Sequence, residues 1–89
     1  MPEEEYRNQL EKEGFSDIRV HTDGPDTIYK LHSHPVTVAH IILSGHMRLV
    51  LEGQVRLLHP GDRWDIPAGV EHEAEIGGEG CTYMLGEKA

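Results

Sequence analysis

The chain has 89 residues, 37% of them hydrophobic, which is material for one modest core and no second one. Sixteen acidic side chains against eight basic ones leave a formal charge of −8, a field that repels phosphate backbones and anionic bilayers and so argues against nucleic acid or membrane partners. The single cysteine, Cys81, excludes an internal disulfide; no apolar run approaches the ~20 residues of a membrane span, and the acidic start Met1-Pro2-Glu3-Glu4-Glu5 is unlike a leader peptide, so the expected location is cytoplasmic.

In chain order, residues 2 to 13 predict a short surface helix, with Pro2 suited to a first helical position, glutamates at the positive end of the dipole and Lys12 in the last turn. Gly14 stands where a helix-ending glycine belongs, with Phe15 as the apolar residue that closes such a cap, and Tyr6 and Leu10 form a thin apolar stripe. From Ser16 onward short β-segments alternate with turns. Strands are expected near 17–22, 27–34, 38–44, 46–52, 54–58, 63–66, 71–76 and 81–85. The turns between them include Asp23-Gly24-Pro25-Asp26, Ser44-Gly45, Glu52-Gly53-Gln54, His59-Pro60-Gly61-Asp62, Pro67-Ala68-Gly69 and Gly77-Gly78-Glu79-Gly80. Eight short strands at this spacing fit an all-β antiparallel barrel or jelly roll, one domain over 1–89, with helix in 1–14 and barrel in 16–86.

Seven histidines direct attention to the chemistry. His32-Ser33-His34 closes a predicted strand, and alternation sends both imidazoles to one side, about 6–7 Å apart along the chain. Two ligands do not close a site. The segment Gly61-Asp62-Arg63-Trp64-Asp65-Ile66-Pro67-Ala68-Gly69-Val70-Glu71-His72 supplies a third histidine after a hairpin hinge, a strand and a Pro-x-Gly turn. A barrel can bring that ring opposite the first two. Glu71, Glu73 and Glu75 alternate with His72, Ala74 and Ile76, which places the acids outward and His72 inward.

These two segments resemble the paired motifs of the cupins. The family's second motif, Gly, five residues, Pro-x-Gly, two residues and His, is met at Gly61, Pro67, Gly69 and His72; its final Asn is replaced by Ile76. The first motif is met at His32, His34 and Gly45, but its Glu position falls on Val38. The resemblance implies a cupin jelly-roll barrel in which His32, His34 and His72 hold one divalent transition metal (Fe, Zn, Ni, Cu or Mn). The usual carboxylate ligand is absent, so imidazole preference favours Fe, Zn, Cu or Ni over Mn. The resemblance also implies a homodimer, since many single-domain cupins pair through their sheets.

His40 follows Val38 by two and faces the same side of a regular strand, as a fourth ligand, a residue behind the ligands or a core histidine. Val38, Ile42 and Ile76 are expected to wall an apolar pocket. His21, His46 and His59 read as ordinary strand-edge and turn residues, Cys81 as packing and Trp64 as a core plug. Phosphate loops, nucleophile elbows and zinc-ribbon cysteine pairs are missing from the sequence, so catalysis would have to come from the metal, with catalytic side chains unassigned. Two functions follow: a metal-dependent enzyme such as a small-molecule oxygenase, or a non-catalytic barrel that captures a small molecule or a metal as sensor or store.

Overall fold

The computed structural model describes residues 2–89; Met1, where the expected helix and domain spans begin, lies outside the described residues. One helix, α1 (Pro2–Lys12), precedes six strands: β1 (Ser16–Asp23), β2 (Ile28–His32), β3 (Thr37–Leu51), β4 (Gln54–Leu58), β5 (Arg63–Ile66) and β6 (His72–Lys88). All pairings are antiparallel.

Two pairs of expected strands are each one long strand. Residues 38–44 and 46–52 fuse into β3, and 71–76 and 81–85 fuse into β6. Ser44-Gly45 and Gly77–Gly80 are therefore bends within strands rather than turns between them. A glycine permits either outcome, because left-handed backbone serves a tight turn and a β-bulge alike. Gly45 and Gly80 have φ of 75° and 80°, and the β3–β6 register shifts on both sides of Gly45. A side chain built on Gly45 would strike the Gly80 carbonyl, so the two strands bend together at a point where only bare backbone fits.

Through these bends β3 and β6 run side by side through two four-stranded layers. In one, the early part of β6 lies between β2 and the later part of β3, with β4 beyond. In the other, the later part of β6 lies between β1 and the early part of β3, with β5 beyond. The inner faces meet in a core that includes Ile42, Met47, Leu49, Leu58, Ile66 and Ile76. Alternation is clean along early β6, where His72, Ala74 and Ile76 are buried while Glu73 and Glu75 are exposed.

Early β3 is buried on both faces. Val38 and Ile42 face the barrel, whereas Ala39 and Ile41 face outward onto Leu10, Phe15 and Met84. Helix α1 supplies that cover. It ends as expected, the Gly14 N–H donating to the Glu11 carbonyl at 3.1 Å and the Phe15 N–H to the Leu10 carbonyl at 3.0 Å, with Leu10 and Phe15 in the same cluster. Arg63 of β5 then grips Glu13 through two hydrogen bonds of 2.9 and 2.6 Å, which holds the Glu13 carboxyl down at about 2.

Two alanine substitutions separate strain from collision. Gly53, in the β3–β4 turn, also has positive φ (77°) but has open space where a side chain would go. Gly53→Ala should cost about 1–2 kcal/mol in urea unfolding, the ordinary left-handed penalty. Gly45→Ala adds the backbone collision and should cost more than about 3 kcal/mol or prevent folding. Equal losses would show that the β3–β6 bend tolerates a side chain.

Candidate metal centre

His32, the last residue of β2, pairs directly with His72, the first of β6. The strand stops there, short of the expected 27–34, and its register shifts between Tyr29 and His32. His34 lies in the connection to β3, where its carbonyl accepts the Gly69 N–H at 2.8 Å. The Pro67-Ala68-Gly69 turn of the second motif thus fastens the backbone of the first. Despite the early end of β2, the rings converge: centroids are 4.9 Å apart for His32 and His34, 4.3 Å for His32 and His72, and 5.2 Å for His34 and His72. Their ligating nitrogens all lie within 4.8 Å of one another, and this is the single such cluster of histidine, cysteine or acid side chains among the described residues.

Local hydrogen bonds orient two of the three rings. His32 Nδ1 lies 2.6 Å from the Lys30 carbonyl and His72 Nδ1 lies 3.1 Å from the Val70 carbonyl. A carbonyl only accepts, so each Nδ1 carries the proton and each Nε2 keeps its lone pair free for a metal. Burial holds the His34 and His72 pKa values below the ordinary 6.5, and repulsion from neighbouring histidines adds to it, while the Val70 carbonyl opposes the shift at His72. Neutral, converging, pre-oriented imidazoles are the donor set a divalent transition ion requires. Val38 occupies the family's Glu position and offers no donor, and Glu73 and Glu75 point outward as expected.

The triad opens into a cavity of about 430 Å³. Val38 lines it. Ile42 and Ile76 do not: they are 0% and 1% exposed in the closed core. Alternation assigned their face correctly, but depth along a strand, which alternation does not encode, puts them below the cavity floor. His40 lines the cavity, yet its nitrogens fall outside the triad's cluster. It is 8% exposed and has a buried, unpartnered Nδ1. Burial, with repulsion from His72, pushes its pKa down to about 4.

A second polar group escaped the sequence reading. Asp23, at the end of β1, is 8% exposed and accepts from Tyr83 at 2.6 Å, Tyr29 at 2.7 Å and His21 at 2.8 Å. Burial raises the Asp23 pKa, but the three donors outweigh it and hold the carboxyl below its ordinary range. Burial and the Asp23 charge raise both phenols, so they stay protonated. Tyr29, Tyr83 and His21 all line the cavity. Tyr83 is 60 residues from Asp23, and only the β1–β6 pairing, with His21 opposite Tyr83, brings them together. The His46 and His59 rings stack 6.1 Å apart outside the cavity lining, Cys81 is buried with its thiol pushed up to about 11, and Trp64 is partly buried and packed against the core with Arg56 over its ring.

The family model for the cupin domain matches residues 19–85. The chain belongs to the cupin domain family. Both motifs and the triad fall within the matched span. Comparison with curated proteins gives no match. Among solved structures, the cupin resembles the DMSP lyase DddQ from Ruegeria pomeroyi DSS-3, at 25% identity and TM-score 0.74, over 81% of this chain and 37% of the lyase. It also resembles a cupin-2 domain containing protein from Shewanella frigidimarina (23% identity, TM-score 0.69, 81% and 69% covered). A third likeness is to oxalate decarboxylase from Bacillus subtilis (22% identity, TM-score 0.72, 80% and 20% covered). The chain thus spans little more than a third of the lyase and a fifth of the decarboxylase.

His40 makes the metal-free cupin sensitive to acid. Its folded-state pKa is depressed from 6.5 to about 4, so below pH 6.5 the unfolded chain takes up a proton that the folded state refuses. Stability contributed above pH 6.5 is therefore lost on acidification to about pH 4, by something like 3 kcal/mol from this residue. In urea unfolding of metal-free protein, His40→Leu should flatten that loss. An unchanged pH profile would show that His40 is not held neutral by burial.

Proposed function

We propose that this cupin is a single-metal protein in which the Nε2 atoms of His32, His34 and His72 hold one divalent transition ion, and in which a small molecule in the adjoining cavity is bound and chemically transformed. The observation that carries the reading is the convergence of three imidazoles, two with Nδ1–H tied to backbone carbonyls, on the wall of a cavity of about 430 Å³. When bound, the ion supplies Lewis-acid polarisation of a ligand oxygen, or dioxygen chemistry if it is iron.

The chain's own residues do the rest. The carbonyls of Lys30 and Val70 keep two ligand rings from turning, and the His34–Gly69 hydrogen bond holds the third ligand's backbone. Val38 and Leu85 give the cavity apolar wall, while His40, its Nδ1 unpartnered, faces the same space as a neighbour of the ligands and of whatever the cavity holds. The absence of a carboxylate among the ligands leaves the ion's charge uncompensated, which favours an anionic oxygen donor as the exogenous ligand. The likeness to a lyase supports the catalytic form of this reading over simple storage.

Elemental analysis of the purified cupin should find about one transition ion per chain. His72→Ala should lower metal affinity more than ~100-fold, beyond the loss typical of a residue behind the ligands, while His46→Ala should leave it unchanged. Full metal content in the His72→Ala protein would refute the assigned ligand set.

A further inference from the structure

The Asp23 cluster uses every polar hydrogen it controls. Both phenolic hydrogens of Tyr29 and Tyr83 point to the two oxygens of one carboxylate, at 2.7 and 2.6 Å, and His21 Nε2 adds a third donor at 2.8 Å. An ionised carboxylate only accepts, so neither hydroxyl is free to donate elsewhere. The two hydroxyls also lie beside each other, and what the phenol oxygens still offer is the lone pairs that this contact leaves. Tyr29 and Tyr83 are both cavity-lining residues, whereas Asp23 stands behind them and is not. Each phenol also neighbours the histidine side of the cavity: the Tyr29 ring lies 6.2 Å from the His32 ring, and the Tyr83 ring lies 6.1 Å from that of His40.

The cavity is therefore electrically two-sided. One side carries imidazole nitrogens suited to a cation and, through it, to an anionic oxygen. The other carries Tyr29 and Tyr83, whose oxygens are backed by a buried negative charge. Arg19, which also lines the cavity, lies 3.1 Å from Glu87 and 3.2 Å from Asp17, so its positive charge is offset.

We propose that Tyr29 and Tyr83, locked by Asp23, form an acceptor pole that selects cavity ligands carrying a hydrogen-bond donor, a hydroxyl or ammonium group, a few atoms from a metal-binding carboxylate. This rests on the metal-centre reading above. The physical ground is asymmetric. A ligand hydroxyl satisfies the waiting oxygens. A methyl leaves them unpaired in a half-closed space, and a second carboxylate faces lone pairs of its own kind. Tyr29 and Tyr83 are thus specificity-determining residues, and Asp23 is a positioning residue that fixes the direction of their hydrogens.

The test uses the full chain loaded with cobalt(II), with 3-hydroxypropanoate, β-alanine and propanoate as probes. Calorimetry measures affinity and the cobalt absorption bands report a ligand at the metal. The hydroxy acid or the amino acid should bind about five- to tenfold more tightly than propanoate, the range of one added hydrogen bond, and which of the two gains more identifies the donor. Tyr29→Phe with Tyr83→Phe should bring the ratio close to one while cobalt content stays at one per chain.

Asp23→Asn is the sharper variant, because an amide has one acceptor and one donor group. Its N–H must turn to a phenol oxygen, freeing that hydroxyl's hydrogen for the cavity, so the preference should shrink without any loss of shape. The comparison of probes on the unaltered protein stands even if these variants fold poorly. Equal binding of all three probes, no binding of any, or a preference unchanged in folded variants would overturn the acceptor pole and leave the metal centre standing. Failure of the unaltered protein to take up cobalt would instead remove the metal centre, and the ligand selection built on it.

Discussion

The close backbone approach of Gly45 to Gly80 is the constraint on which the rest of this cupin depends. Because neither residue carries a side chain, β3 and β6 bend together and remain paired from one layer to the other. Early β6 then has a neighbour on each side, with His72 opposite both His32 of β2 and Leu51 of β3. A ring at the start of a strand held between two others has little freedom to move. The triad's convergence is thus a consequence of sheet register, and register is strongly specified where one face is buried.

Around that frame, the same local device appears twice. His32 and His72 each bind the carbonyl two residues earlier, so a ligand's tautomer is set by its own strand rather than by a distant carboxylate. The ligand set itself holds no acid, although Glu87 lines the same cavity and acts on His34. Asp23, the one buried acid among the described residues, sits behind the tyrosines and accepts from both of them and from His21. Separation of a neutral nitrogen cluster from an oxygen cluster within one small cavity is what gives the site a direction.

Helix α1 contributes at a distance. Early β3 carries Val38 and His40 toward the cavity and Ala39 and Ile41 away from it, so its outer face would be bare without Leu10 and Phe15. The Arg63 clamp on Glu13 joins that helix to β5, the strand that feeds the Pro67-Ala68-Gly69 turn. Cover on the outside of the sheet and placement of the His34 backbone on the inside are parts of one packing arrangement.

Much of this was legible in the chain itself. The helix and its Gly14 stop are local, set by capping chemistry within a few residues. The spacing of His32, His34, Gly61, Pro67, Gly69 and His72 marked the cupin family, and the Glu–His–Glu alternation around residue 72 assigned its inward face, because period-two geometry needs no tertiary information. Tertiary structure alone decided three things. It turned two apparent glycine turns into bends of continuous strands, since the same backbone angles serve both. It set depth, lining the cavity with Val38 while sinking Ile42 and Ile76 into the core. It also brought Tyr83 to Asp23, a partner 60 residues away that shares no motif with it and meets it only through pairing between the first strand and the last.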